Sequence, residues 1–157
     1  MNFRIGLGFD AHEFEKGKTL KLGGVSIDFP EGLKGHSDGD ALLHSITDAI
    51  LGAIGEQDIG EVFPDNDPRW KDADSVIFLK EALKRMESKG YRIVNIDCVI
   101  ITERPKIAPY KEAIKKNLSE LLQVPIQNIS LKGKRREGLC KENGLACFCT
   151  VLLSHEG

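Results

Sequence analysis

The sequence predicts an α+β fold, a mixed β-sheet with helices packed on one face, formed by residues 1–157 as a single domain. Three observations lead there. Strand-like and helix-like segments interleave along the chain, and it closes on two strands in succession. Apolar residues make up 41% of 157 residues, which supplies one core of ordinary domain size. No internal repeat, low-complexity tract or linker divides the chain.

Taken in order, residues 3–9 have β character, interrupted by Gly6 and Gly8. Residues 19–29 read as a second extended region bent at Gly23-Gly24, and 32–39 as a glycine-punctuated loop. Leu43, Ile46, Ile50 and Ile54 recur at helical spacing and predict a helix over 40–54. Ser37 with Asp40 three residues later supplies its start signal, and Gly55 ends it. Residues 58–68 form a turn-rich loop. A second helix begins at Asp74 or Ser75 and runs to about Lys89, stopped by Gly90. Residues 91–102, rich in Ile and Val, are the strongest strand. Pro105 and Pro109 bracket a short loop, a third helix spans 109–122 with Pro in its first turn, and 128–132 and 145–154 are the last strands. A sheet covered on one face leaves the other bare, and packing of sheets in an oligomer answers that need.

The charge balance narrows the function. With 22 Lys+Arg against 24 Asp+Glu, the formal net charge is −2. Nucleic acid is therefore not the expected partner, since phosphate backbones select basic surfaces. The apolar runs are far too short to span a bilayer, so no membrane is expected either. The opening Met-Asn-Phe-Arg-Ile-Gly enters an ordered pattern at once, without a leader, which predicts a cytoplasmic protein. Cys98, Cys140, Cys147 and Cys149 show no C-x-x-C pair and are expected as reduced, packed thiols.

The sharpest chemical constellation is Asp10-Ala11-His12 with His44. Positions two apart on a strand point to one side, so Asp10 and His12 can grip one ion together. Adding His44 gives two imidazoles and a carboxylate, a three-ligand set that leaves a tetrahedral position open, as in catalytic zinc sites. The spacing alone leaves open that Asp-x-His is a chance pair and His44 a satisfied helix histidine. Asp40, His44 and Asp48, four apart, share a helix face that either meets solvent or lines a polar site. In the second case Asp48 is a candidate to orient a histidine through its other ring nitrogen. His36-Ser37, just before this helix, suit a phosphate at a helix N-terminus, with Ser37 alternatively a plain cap. The acidic turn carrying Asp58, Asp65 and Asp67 is either solvated or holds hydroxyls or a hard cation.

Together these pieces resemble the 2-C-methyl-D-erythritol 2,4-cyclodiphosphate synthase family. Gly6-Leu7-Gly8-Phe9-Asp10-Ala11-His12-Glu13-Phe14 looks like its opening motif, and His36-Ser37-Asp38-Gly39-Asp40-Ala41-Leu42-Leu43-His44 like its signature. Thr47-Asp48-Ala49-Ile50-Leu51-Gly52-Ala53 and Asp58-Ile59-Gly60-Glu61-Val62-Phe63-Pro64-Asp65 continue it. The resemblance covers nearly the whole chain. It implies Asp10, His12 and His44 as ligands of one zinc ion per subunit. It implies His36 and Ser37 at the substrate phosphates, and Asp58, Ile59, Gly60, Phe63, Asp65 and Asp67 around the methylerythritol moiety. Thr102, Pro105, Lys106 and Ala108 would line a cytidine loop. Lys132 matches a lysine of the final motif, and Glu137 a glutamate near a second divalent ion, Mg²⁺ or Mn²⁺ held with the substrate diphosphate. The implied reaction is intramolecular. The 2-phosphate of 4-diphosphocytidyl-2-C-methyl-D-erythritol 2-phosphate attacks the β-phosphorus, and CMP leaves. The implied assembly is a homotrimer with active sites between subunits and a central apolar cavity for an isoprenoid diphosphate.

The sequence departs from the family pattern after Lys132. Lys134, Arg135 and Arg136 stand where threonines are usual, and the following loop, 138–143, is short and lacks the familiar aromatic and Gly-Arg-Gly-Glu-Gly run. Guanidinium groups bind phosphate well, so Arg135 and Arg136 are expected at the substrate, with Lys134 beside them; the resemblance implies Glu137 there too, and His36, Arg135 and Glu137 in catalytic roles. A nucleotide site that binds without turnover, and a solvated basic loop, are the other readings of this stretch.

Overall fold

The computed structural model describes residues 2–139 and 143–155. A five-stranded sheet is built from β1 (Phe3–Lys16), β4 (Glu31–Leu33), β5 (Tyr91–Ile101), β6 (Ile129–Lys134) and β7 (Gly144–His155), and β2 (Leu20–Leu22) pairs with β3 (Val25–Ile27) in a separate hairpin. The strand order is β4-β1-β7-β5-β6. Only β5 and β6 run parallel; the other neighbours are antiparallel. A parallel pair needs a long crossover, and the helix α4 (Lys111–Leu122) provides it. The sheet is thus mixed, as the sequence predicts.

The α-helices among the described residues are α1 (Ala41–Ala53), the single turn α2 (Ile59–Val62), α3 (Ser75–Ser88) and α4. Helix α1 is apolar almost all round and buried accordingly, lying on β1 and β7 with α3 beside it. Leu42, Leu43, Ile46, Ile50 and Leu51 of α1 meet Ile96, Ile100, Val151 and Leu153 of the sheet in one core. The inward residues of β5 and β7 include Cys98, Cys147 and Cys149, all free and buried; Cys140 lies outside the described residues.

The opposite sheet face carries Ile5, Leu7, Phe9 and Phe148, exposed by 79, 65, 52 and 40%. Phe9 and Phe148 are cross-strand partners whose rings meet in a tilted contact, centroids 4.8 Å apart. An apolar stripe of this kind on a bare sheet marks an interaction surface.

Five local expectations change. Gly6 and Gly8 do not interrupt β1, which runs unbroken for 14 residues. They serve instead as the seat of α1: a Cβ on Gly6 would lie 1.8 Å from the Ala49 carbonyl oxygen, and one on Gly8 1.8 Å from that of Ser45. The loop over 32–39 begins with the strand β4, and the loop over 58–68 contains α2, both too short to show a period. The third helix starts at Lys111, because Ala108–Tyr110 form a 3₁₀ turn. Finally, Ser37 is not the cap of α1. Asp40 is, accepting from the Leu43 amide, while the other lobes of its buried carboxylate accept from the Gly23 and Gly24 amides of the β2–β3 turn.

Candidate metal centre

On the inner face of β1 the alternate residues are Gly6, Gly8, Asp10 and His12. The first two let α1 approach; the next two then stand beside the first turn of that helix, where His44 lies. Asp10 Oδ2 is 2.6 Å from His12 Nε2 and 3.2 Å from His44 Nδ1. One ligand atom from each of the three residues falls within 4.8 Å of the others, which is the spacing a single ion needs. The sequence expectation for this trio is met in geometry.

The ring orientations follow from their partners. His12 Nδ1 donates to the Lys34 carbonyl at 2.7 Å, and since a carbonyl only accepts, the proton sits on Nδ1 and Nε2 faces the site. Burial alone would raise the Asp10 carboxyl, but the adjoining His12 and His44 imidazoles outweigh it and hold it below the usual value of 3.8. Burial would likewise lower His12, yet the bond to Asp10 outweighs it and raises the imidazole above 6.5.

His44 Nε2 points away from the ion site. It lies 2.7 Å from Ser75 Oγ and 3.1 Å from Ser37 Oγ. Ser75 in turn donates through its hydroxyl to Asp38 Oδ1 and through its amide to Asp38 Oδ2. Neither Ser75 nor Asp38 was singled out for this role by the sequence: they are 37 residues apart, and Ser75 reads only as a helix start. Asp48, expected to orient a histidine, does not. Its carboxylate accepts from the Ile59 amide at 3.0 Å and so fastens α2 one turn further along α1. Burial pushes its carboxyl up, against the hydrogen bond from Ile59.

His36 is half-buried, with Nε2 donating to the Asp67 carbonyl at 3.3 Å. Asp58 is the exposed cap of α2. Ile59 and Gly60 form its first turn, and Asp65 is exposed. Asp67 caps the 3₁₀ turn Pro68–Trp70 and grips Arg69 at 2.6 Å, which lowers its carboxyl. Phe63 is buried against Trp70 and Phe78, with ring centroids 5.2 and 4.5 Å away, and Phe78 backs His44 at 5.7 Å.

A second hollow, of about 310 Å³, brings together Thr102, Pro105, Lys106, Ala108, Lys134 and Arg135. Arg135 also lines a larger groove of about 560 Å³ with His12, Phe9 and Ile101, so one guanidinium stands between the two hollows. The Arg136 backbone amide donates to the Glu103 carboxylate at 2.8 Å, and its Nη2 donates to the Gly144 carbonyl at 2.9 Å. It braces the start of β7 and, with Arg135 and His12, also lines the larger groove. Glu137 sits exposed in a turn at φ +53°. Lys132 pairs with Asp97 at 3.0 Å.

Known proteins are similar to this chain in sequence and fold. The YgbB family profile matches residues 3–154. The 2-C-methyl-D-erythritol 2,4-cyclodiphosphate synthase of Aquifex aeolicus (strain VF5) is 68% identical over 153 residues, 98% of each chain. That of Hydrogenobaculum sp. (strain Y04AAS1) is 54% identical over 96% of this chain and 97% of its own. Among solved structures, a CDP-bound 2C-methyl-D-erythritol-2,4-cyclodiphosphate synthase superposes with a TM-score of 0.90 at 42% identity, covering 96% of this chain and all of that one. The bifunctional IspDF from Campylobacter jejuni superposes with 0.93 at 39% identity, through 98% of this chain and 42% of its own. The chain belongs to the YgbB family, the family of the 2-C-methyl-D-erythritol 2,4-cyclodiphosphate synthases.

Proposed function

We propose that this chain is a metal-dependent phosphorus–oxygen lyase of isoprenoid biosynthesis. It closes 4-diphosphocytidyl-2-C-methyl-D-erythritol 2-phosphate into the 2,4-cyclodiphosphate and releases CMP. The observation that carries this reading is the convergence of Asp10, His12 and His44 on one point, with His36 and Ser37 on the loop that leads into α1. The donor set fits zinc, two imidazoles and one carboxylate, each ring nitrogen turned inward by a hydrogen bond on its far side. When bound, the ion supplies Lewis-acid neutralisation of phosphate charge.

The nucleophile is a phosphate oxygen of the substrate itself, so the chain needs no Ser or Cys nucleophile. Its residues position and neutralise. His36 and Ser37 hold one phosphate. Asp58, Ile59, Gly60, Asp65 and Asp67 form the polyol side, kept in place by the Asp48 bond to Ile59. Thr102, Pro105, Lys106 and Ala108 receive the cytidine, and Lys134 and Arg135 take its phosphates where hydroxyls are usual in the family. Glu137 serves a Mg²⁺ or Mn²⁺ carried by the diphosphate. The CDP complexes of the synthase structure above and of IspF from Plasmodium falciparum support the nucleotide part of this reading.

The exposed stripe of Ile5, Leu7, Phe9 and Phe148 supports a homotrimer packed through its sheets, with an apolar centre suited to an isoprenoid diphosphate, and we place the enzyme in the cytoplasm. No helix among the described residues is long and apolar enough to cross a membrane. The test is phosphorus NMR of the zinc-loaded protein with substrate and Mg²⁺, beside His44→Ala. Joint appearance of CMP and a cyclic diphosphate, lost in the variant, is expected. An open-chain product from the wild type would refute the cyclisation.

A further inference from the structure

The geometry points to Ser75 and Asp38 as positioning residues that fix which nitrogen of His44 is free to ligate. A neutral imidazole carries one proton and can place it on either nitrogen. Two hydrogen bonds compete for it here. Nδ1 faces Asp10 Oδ2 at 3.2 Å, and a proton there would block the ion site. Nε2 faces Ser75 Oγ at 2.7 Å.

Asp38 decides between them. Its carboxylate only accepts, and it is surrounded by donors: the Asp40 amide on Oδ1 at 3.1 Å, the Ser75 amide on Oδ2 at 3.0 Å, and the Ser75 hydroxyl on Oδ1. The single hydroxyl proton of Ser75 is thereby committed to Asp38. What remains toward His44 is an oxygen lone pair, which calls for a proton on Nε2. The Nδ1 lone pair is then left facing Asp10 and His12. Ser75 is fully buried, so no water substitutes for it. Ser37 Oγ, more distant at 3.1 Å, has its hydroxyl proton uncommitted and can donate or accept, so it does not set the direction.

The same contact explains why a residue of α3 belongs to the ion site at all. Asp38 lies on the loop before α1 and Ser75 opens α3, so the relay Asp38–Ser75–His44 locks both segments to the ligand. Far-side partners of ligating histidines typically contribute about 10- to 100-fold in metal affinity.

This inference rests on the metal reading above, and the experiment separates the two. Zinc affinity of the full chain is measured by chelator competition for wild type, Ser75→Ala and Asp38→Asn, with melting of the metal-free forms as a check on folding. The zinc-loaded forms are labelled with ¹⁵N-histidine and the His44 ring proton is followed by NMR. Wild type is expected to bind zinc and show a slowly exchanging Nε2–H. Ser75→Ala is expected to bind about 10- to 100-fold more weakly and to lose that protected proton. Asp38→Asn, which keeps the size and one acceptor oxygen, is expected to fall between and decides the matter if Ser75→Ala does not fold. Zinc held as tightly as by wild type in the folded variants, with the Nε2–H still protected, overturns the relay alone. A wild type that binds no zinc overturns the metal reading and the relay with it.

Discussion

Gly8→Ala is the most revealing single change in this chain, because it adds one methyl group at the contact that brings α1 to β1. The added Cβ would lie 1.8 Å from the Ser45 carbonyl oxygen, against a floor near 3.0 Å for real Cβ contacts, so α1 and β1 must part by about 1.2 Å, the difference of the two. The obstructing atom is backbone and cannot rotate away. Overpacking costs typically 1–3 kcal/mol, and this site belongs at the upper end, about 3 kcal/mol. For a domain of this size that lowers the melting temperature by roughly 6–12 °C. Ser45 adjoins His44, so the displacement reaches a residue of the candidate ion site, where ligand distances tolerate only about 0.2 Å. Zinc affinity should collapse, and turnover should fall by about 100-fold or more. Gly52→Ala is the control. Gly52 is exposed on the same helix with nothing within 4 Å of its would-be Cβ, so alanine there should stabilise by roughly 0.5–1 kcal/mol and leave zinc and turnover unchanged. Calorimetry and chelator competition on both variants make the measurement. Gly8→Ala melting with wild type and retaining its zinc would refute the claim that this glycine sets the ligand geometry.

Other outcomes follow from the same coordinates. In the metal-free protein the His12 contribution is present below pH 6.5 and lost as pH rises through its raised value, while that of Asp10 is present above 3.8 and lost as pH falls through its lowered value. Thermal melts should therefore show this pair helping most between those limits, whereas zinc affinity, which needs His12 Nε2 unprotonated, should rise with pH over the upper part of that range. Arg135→Ala should raise the substrate KM by about 10- to 100-fold, the worth of a charged hydrogen bond, and leave zinc content unchanged; an unaltered KM would return the basic stretch to solvent. Asp48→Ala frees the Ile59 amide and should raise KM with zinc retained. Leu7→Asp, in the middle of the exposed stripe, should convert a trimer to monomers in light scattering with the fold intact; a wild type that is itself monomeric would sink the packing argument.

How far the sequence reveals this molecule depends on the range over which its signals act. The pairing of Asp10 with His12 is a two-residue period, and the Leu43–Ile50 stripe of α1 a helical one, so both are readable locally. Gly6 and Gly8 mislead for a physical reason. Glycine weakens a strand in isolation, and only the helix that lands on them, contributed some forty residues later, turns the missing Cβ into an asset. Ser37 misleads similarly. Its spacing to Asp40 imitates a capping box, but its hydroxyl lies against His44 while the buried Asp40 carboxylate caps the helix and ties down the Gly23-Gly24 turn. Ser75 and Asp38 give no local signal, because neither side chain has its role until α3 is packed beside α1.

Asp40, His44 and Asp48 show why a shared helix face is not a shared function. The spacing of four places them in one row and leaves two readings, solvent or polar site, yet each of the three does something different. Asp40 is wholly buried and spends its carboxylate on three backbone amides. His44 spans the gap between an ion site and a serine relay. Asp48, partly exposed, secures α2. What separates them is the element each meets across the row: the β2–β3 turn, then β1 with α3, then the loop after α1. A row of polar residues on an otherwise buried helix is thus a set of three fastenings to distant parts of the chain. His44 acquires a chemical role because the fastening it makes has a carboxylate and a second imidazole on one side and a committed hydroxyl on the other.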